Sequence, residues 1–264
     1  MKSVYRWVAD HTGLCRFCLF LALGVFTFYA ATLEHTSFLS IYLLDLAIWF
    51  FAGRLIAMAP IKLMEEPTAI CEQQCDPYPL LEEMKSMMAR KQNGPQQQLM
   101  EINYAMALRM VGENYKCAEI LENTHIDRYP GTSPYTKFIY YNNLADVFFC
   151  LERTLEAQIW HRKALQIYDD LPEGKLKQQI TQAAQLSEAQ ALYYEKDYDS
   201  ALRKAAKINC QSRRHLLDTA LLAAKCHIAL EEPEKAREKL QYIIDNGNKL
   251  HIVEESKELL NSLA

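Results

Sequence analysis

A chain of 264 residues, half of them hydrophobic, holds material for one large domain or two small ones with a sizeable core. Lys and Arg number 29 against 33 Asp and Glu, a formal charge of −4, so no global basic field draws the chain to nucleic acid. The eight cysteines, at 15, 18, 71, 75, 117, 150, 210 and 226, lack the spacing of a small secreted disulfide framework and read as buried thiols of a reducing compartment.

The apolar content is concentrated at the start. Residues 17–33, FCLFLALGVFTFYAATL, carry no charge, and a second run, 38–59, follows after only Glu34, His35, Thr36 and Ser37. Each is long enough to cross a hydrocarbon core of about 30 Å at about 1.5 Å per residue. So short a break predicts an antiparallel membrane hairpin, with helices at about 14–33 and 38–59 within a unit spanning 1–60. Lys2, Arg6 and Arg16 precede it and Arg54 and Lys62 lie at its other end, against no Lys or Arg in the loop, which predicts that both termini and everything beyond are cytoplasmic. Trp7, Tyr42 and Trp49 are candidate interfacial anchors. Asp45 is the one acid within the second run, on the order of 10 Å below the far surface and opposite Phe26 and Thr27. Pairing with Thr27 or contact with water at the interface is the plain reading; an intramembrane functional site is the sharper one.

Pro60, Pro67, Pro77 and Pro79 predict that 61–95 is a linker, ending in a short amphipathic helix from Leu80 to Lys91 that Gly94-Pro95 terminates. Cys71-x3-Cys75 lacks the two further ligands a zinc site needs, so no metal and no cofactor are expected.

From 96 to 264 the apolar residues recur at helical spacing. The segment 142–168 contains two amphipathic patterns with a break too short for any other element: Leu144, Ala145 and Phe148 share one face, and Ala157, Trp160, Ala164 and Leu165 share another. Small residues at facing positions let two helix axes approach closely. The interval recurs: Ala145 to Ala157, Ala189 to Ala201 and Ala224 to Ala236 are each twelve residues apart, and Ala105 to Ala118 is thirteen. Leu108, Phe148, Leu192 and His227 stand three residues after the first alanines, and Tyr115, Thr154, Tyr198 and Pro233 three before the second. This pattern resembles the tetratricopeptide repeat, with Thr154 and Glu188 departing from it, and the resemblance implies an all-α right-handed solenoid of about four helix pairs with a capping helix at 249–263.

The resemblance also implies a peptide groove along the first helices, whose matching positions are Met106, Arg109, Asn142, Asp146, Phe149, Gln190, Tyr193 and Lys225. Asp146 at a central position argues against clamping of a C-terminal carboxylate. Between Asp199 and Asp218 no acid occurs while Arg203, Lys204, Lys207, Arg213 and Arg214 accumulate, either a docking patch for an acidic partner or anionic headgroups or a solvated helix face. No G-x-x-x-x-G-K-[ST], G-x-G-x-x-G, G-x-S-x-G or H-E-x-x-H is present. His161 and His227 fall on packing faces, and adjacent acids such as Glu231-Glu232 diverge around a helix, so no catalytic apparatus is visible. The expectation is a non-enzymatic, membrane-anchored adaptor that binds a protein or peptide; the alternative is a regulator or peptide sensor whose hairpin acts on a membrane enzyme or transporter.

Overall fold

The computed structural model describes residues 2–32, 37–89, 94–128 and 131–263, and among them every regular element is helical. The expected loop residues 34–36, together with Arg90, Lys91 and Pro130, lie outside the described residues. The chain divides into two compact units, Met1–Thr68 and Ala69–Ala264.

The first unit holds α1 (Lys2–Asp10), α2 (Thr12–Ala31) and α3, which begins at Phe38 and ends at Ala69. Two helical stretches, Thr12–Ala30 and Leu39–Gln74, are long and apolar enough to cross a membrane. Their side chains are not packed into a protein core: Val25 is 70% exposed, Phe28 76% and Leu55 69%. Exposed apolar surface of this extent marks contact with a membrane or with another protein. Thr27 donates its hydroxyl to the Asp45 carboxylate and so ties α2 to α3. The same hydroxyl reaches back to the Leu23 carbonyl at 2.9 Å.

The expected linker is absent. Proline removes a donor and crowds the carbonyl four residues earlier, yet α3 continues through both Pro60 and Pro67. After the apolar run come Lys62, Glu65 and Glu66, with Lys62 Nζ 2.6 Å from Glu65 and Lys2 Nζ 3.0 Å from Glu66. A single π-turn, Ile70–Gln74, prolongs the helix, and Cys75 ends it in a left-handed conformation at φ 57°. Only residues 75–77 separate it from α4 (Tyr78–Met88), which begins two residues earlier than Leu80 because Pro79 fits the first turn of a helix.

The second unit continues with four helix pairs. These are α5 (Pro95–Met110) with α6 (Asn114–Asn123), α7 (Pro134–Cys150) with α8 (Thr154–Asp170), α9 (Lys175–Tyr194) with α10 (Tyr198–Ala205), and α11 (Arg213–Ala229) with α12 (Pro233–Asn246). The terminal helix α13 (Ile252–Ser262) packs on α12 and starts later than expected, because 247–251 are spent in a turn. First helices touch the next first helix, α5 on α7, α7 on α9 and α9 on α11, whereas second helices pack chiefly on their sequence neighbours. First helices therefore form the inner layer and second helices the outer.

The pairs share one turn. In each, the N–H of Glu113, Arg153, Asp197 or Glu232 donates to the carbonyl five residues back, at Leu108, Phe148, Leu192 or His227, over 2.9–3.0 Å. The preceding N–H bonds three residues back, and that preceding residue has positive φ: Gly112 at 88°, Glu152 at 59°, Lys196 at 65° and Glu231 at 57°. Paired bonds around a left-handed residue form the Schellman helix ending. Its repetition at the residues three beyond each first alanine is evidence for equivalence that does not rest on alanine spacing.

The turn also corrects one equivalence. Counting four residues on from the turn donor gives Ala157, Ala201 and Ala236, but in the first pair it gives Cys117, twelve residues after Ala105. Cys117 and not Ala118 is thus the small residue at the first crossing; a thiol serves where the other pairs use a methyl. Ala105, Cys117, Ala145, Ala157, Ala189, Ala201, Ala224 and Ala236 are all fully buried. Around them, Ile102, Leu121, Phe138, Leu144, Phe148 and Ile180 build the core of the first pairs, and Leu217, Leu240 and Ile243 that of the last.

Gly112 is glycine for a reason the other turns do not share. A Cβ there would stand 2.5 Å from His251 Nδ1, at the start of α13. Gly112→Ala combines that clash with a left-handed backbone and should destabilise the protein by about 2 kcal/mol. Lys196→Gly relieves the same backbone in an open turn and should gain up to about 1 kcal/mol. Denaturant midpoints followed by far-ultraviolet circular dichroism check both signs.

Candidate functional site

The alanine that seats each first helix against its partner also fixes which residues face the inner axis. One and four positions beyond the first alanines stand Met106, Asp146, Gln190 and Lys225, and Arg109, Phe149 and Tyr193. The structure brings these together, but not as an open groove.

Arg109 on α5 sets Nη2 3.8 Å from Asp146 Oδ2 on α7. Both are withdrawn from solvent. Burial pushes the Asp146 carboxyl up to about 6 even with Arg109 beside it, while Asp146 holds Arg109 firmly charged against the same burial. Lys225 on α11 is 2.6 Å from Glu255 on α13. Phe149 is buried and stacks on Tyr194, ring centroids 4.2 Å apart, and Tyr193 meets that ring edge-on at 5.1 Å. Asn142 is buried with its Oδ1 lacking a hydrogen-bond partner among the described residues, as are Gln190 Oε1 and Arg109 Nε. Met106 is half-buried.

Two segments from outside the four pairs fill the axis. From the π-turn, Glu72 reaches α11, where Arg214 Nε lies 2.7 Å from Glu72 Oε1 and Ser212 Oγ donates to Glu72 Oε2 over 2.5 Å. Arg214 Nη1 also donates to Asp218 at 2.8 Å. Burial alone raises the Glu72 carboxyl, but Arg214 and the Ser212 hydroxyl outweigh it and leave the group below its ordinary range. Cys71 and Cys75 are fully buried beside it, Cys71 Sγ 3.3 Å from Met110 Sδ, and burial lifts the Cys71 thiol to about 12. From the other end, the Lys249 N–H donates to the Cys75 carbonyl and the His251 N–H to the Met110 carbonyl, at 3.1 and 3.0 Å. The space left among Arg109, Met110, Arg214, Asp218, Leu250 and Glu255 is about 40 Å³. That is room for about one water molecule, not for a peptide.

The expected basic patch separates into parts. Arg214 is not on the surface; it is the centre of the Glu72 and Asp218 cluster. Lys204 forms an ion pair with Glu188, which explains the acid at a position where the repeat pattern asks for an apolar residue. Arg203 and Arg213 are exposed and reach only neutral partners, Ser200 Oγ at 2.8 Å and Asn246 Oδ1 at 2.9 Å, and Lys207 is exposed. Asp45 has Thr27 as its partner, with Oδ1 buried and unpartnered among the described residues. No group of three or more His, Cys, Asp or Glu able to hold a metal occurs among the described residues. Glu72 was not singled out in the sequence and Glu255 reads there only as an acid solvating the capping helix, since their partners lie 142 and 30 residues away and no local spacing marks them.

His161 is buried with Nδ1 2.7 Å from Ser187 Oγ, and burial lowers its pKa to about 4. No family model matches the chain, and neither a curated protein nor a solved structure is significantly similar to it.

Breaking the Glu72 cluster should be felt throughout the second unit. Glu72→Ala leaves Arg214 with Asp218 as its one carboxylate among the described residues and should cost about 3 kcal/mol, read as a lowered unfolding midpoint of the full-length protein, with Glu72→Gln losing less. His161 gives a pH-dependent test. The fold holds it neutral while the unfolded chain takes a proton near 6.5, so its contribution is intact above 6.5 and is lost as pH falls toward 4, by roughly 3 kcal/mol in all. Asp146, raised in the fold, acts in the opposite sense, losing stability as pH rises through about 6. The stability difference between the wild type and His161→Gln, measured from pH 7 to 4, isolates the histidine and should shrink on acidification.

Proposed function

We propose that the chain is a membrane-anchored adaptor of tetratricopeptide type. In this reading α2 and α3 cross the bilayer as a hairpin, the repeats stand on the cytoplasmic side, and their inner axis receives an acidic segment of a protein partner. One observation carries it: the axis cations Arg109, Arg214 and Lys225 are each matched by an acid, and for two of the three that acid, Glu72 or Glu255, comes from an element flanking the four pairs. The surface that a partner would use is occupied by the chain's own carboxylates.

The two flanking acids differ in how readily they exchange. Glu72 lies against an Arg214 side chain only 12% exposed, whereas Lys225 and Glu255 are 27% and 32% exposed. Exchanging Glu255 at Lys225 for a partner's carboxylate therefore disturbs less burial than exchanging Glu72 would, and the Asn142 and Gln190 oxygens, unpartnered among the described residues, offer acceptors for the partner's N–H groups. Anchoring on a membrane raises the effective concentration of a weak partner.

A second reading rests on Asp45, whose Oδ1 is buried and unpartnered among the described residues. Here the hairpin regulates a membrane enzyme or transporter, and Asp45→Leu abolishes the output without changing localisation.

The adaptor reading is tested with a photoreactive residue at Tyr193 of the full-length protein in intact membranes. Glu255→Ala should raise capture of a discrete protein several-fold by freeing Lys225, and Lys225→Glu should abolish it. Capture indifferent to both substitutions would remove the axis as the partner site.

A further inference from the structure

The last carbonyls of a helix have no partner within it. At the end of the π-turn, the Gln74 carbonyl accepts from the Asn248 side chain at 2.8 Å and the Cys75 carbonyl from the Lys249 N–H at 3.1 Å. At the end of α5, the Met110 carbonyl accepts from the His251 N–H at 3.0 Å. Lys249 Nζ adds an ion pair with Asp76 at 2.6 Å, 173 positions away in sequence. Residues 248–251 thus cap two helices at the opposite end of the unit. They also roof the axis, because Leu250, His251, Ile252 and Glu255 line its space of about 40 Å³.

The roof is imperfectly seated. Of the eleven residues of α13 only Val253 and Ser256 are buried, and Leu259, Leu260 and Leu263 are partly so. Ser256 is fully buried, and its hydroxyl has no hydrogen-bond partner among the described residues. Leaving that group dry is a cost that the closed arrangement carries and an open one does not. The latch runs through left-handed backbone at two residues other than glycine, Cys75 at φ 57° and Asn248 at φ 49°. Asn248 and Lys249 are exposed, so water can replace the bonds they make. At Gly247, between α12 and this segment, a Cβ would stand 2.5 Å from Val253 Cγ2 and 2.8 Å from the Ile243 carbonyl. The last alanine crossing, Ala224 with Ala236, comes before that glycine.

We infer that residues 248–263 are a lid, hinged at Gly247, that swings off the inner axis while the four helix pairs stay folded. Opening parts Glu255 from Lys225 and uncovers Cys75, which is fully buried in one cluster with Leu250. One consequence rests on the adaptor reading: the closed lid holds Glu255 on Lys225, and the open lid leaves that cation to a partner's carboxylate.

The test follows alkylation of individual cysteines in the full-length protein in nanodiscs, each site resolved by mass spectrometry. Cys75 reports the lid. Cys226, fully buried in the separate cluster around Ala189 and Ala201, reports unfolding of the pairs. Ser256→Ala removes the unsatisfied hydroxyl and should slow alkylation of Cys75 severalfold. Gly247→Ala with Asn248→Ala crowds the hinge and deletes a latch bond without changing charge, and should speed it on the order of tenfold. Cys226 should keep its rate in both proteins. Hydrogen exchange supplies a second measurement, in which the amides of α13 should open together and ahead of those of α11. Cys75 and Cys226 reacting in step across the set, or α13 exchanging only together with α11, would overturn the lid. Crosslinking from Tyr193 separates the lid from the adaptor reading. Capture that falls with Ser256→Ala and rises with the hinge pair supports regulation of the partner site. Capture indifferent to both while Cys75 responds overturns that regulation and leaves the lid standing.

Discussion

Everything in the second unit depends on two helix axes coming close at one buried residue that has almost no side chain. Helices pack at about 8–10 Å according to what stands at the crossing, and each crossing here is set by Ala, or once by Cys117, with no solvent exposure to relieve a larger group. The Schellman turn supplies the register. By closing the first helix at a fixed distance from its alanine, it decides which residue of the second helix arrives opposite. Once that register is set, the phase of the first helix is set too, and with it the direction in which positions one and four beyond the alanine point. Local turn chemistry therefore reaches the inner axis through packing. The left-handed backbone this demands at Glu152, Lys196 and Glu231 is tolerated without glycine, because each such residue is only a small fraction of the burial it secures.

What could be read in advance follows the range over which each interaction acts. Helix pairing is local, and the twelve-residue interval displayed it, though in the first pair the alanine one place further on obscured Cys117. The proline-rich stretch misled because proline's effect on a helix is a penalty, not a prohibition. At Pro60 and Pro67 one donor is lost each time, and the surrounding turns of α3 carry the helix across. Glu72 was beyond reach for a different reason: its partners are Ser212 and Arg214, and nothing within a helical turn of any of the three residues announces the meeting. Arg214 looked like one more member of a basic run, although Arg213 beside it turns to Asn246 while His215 joins it in the Glu72 cluster.

The first unit holds two helical stretches long and apolar enough to cross a membrane. Its large apolar residues are outward-facing along α2 and α3, where burial against protein is slight, and an aqueous exterior would make such a surface unfavourable by about 25 cal/mol for each Å². In that setting the Thr27 hydroxyl has two acceptors, the Leu23 carbonyl and Asp45. A hydroxyl bonded to its own helix retains satisfaction when helices separate, so the contribution of the interhelical bond is smaller than its geometry suggests, in line with the modest values typical of such contacts in bilayers, on the order of 0.6 kcal/mol. Asp45 is then better understood as fixing how α2 and α3 face each other than as the main force joining them.

The axis charges follow from the same closeness of packing. Four first helices side by side bring Arg109, Arg214 and Lys225 into a space of low polarity, and an unpaired cation there would be costly. Asp146 answers one from within the pairs. The other two are answered from the ends of the unit, by a π-turn that exists because α3 does not stop at its prolines and by a terminal helix held at His251 against the Gly112 turn. Neutralising charge from the ends has a consequence that neutralising it from within the pairs would not have. Glu72 and Glu255 both stand outside the crossings, and of the two pairs Lys225 with Glu255 is the more exposed. In the adaptor reading proposed above, that more exposed pair is the position at which an outside carboxylate would meet Lys225.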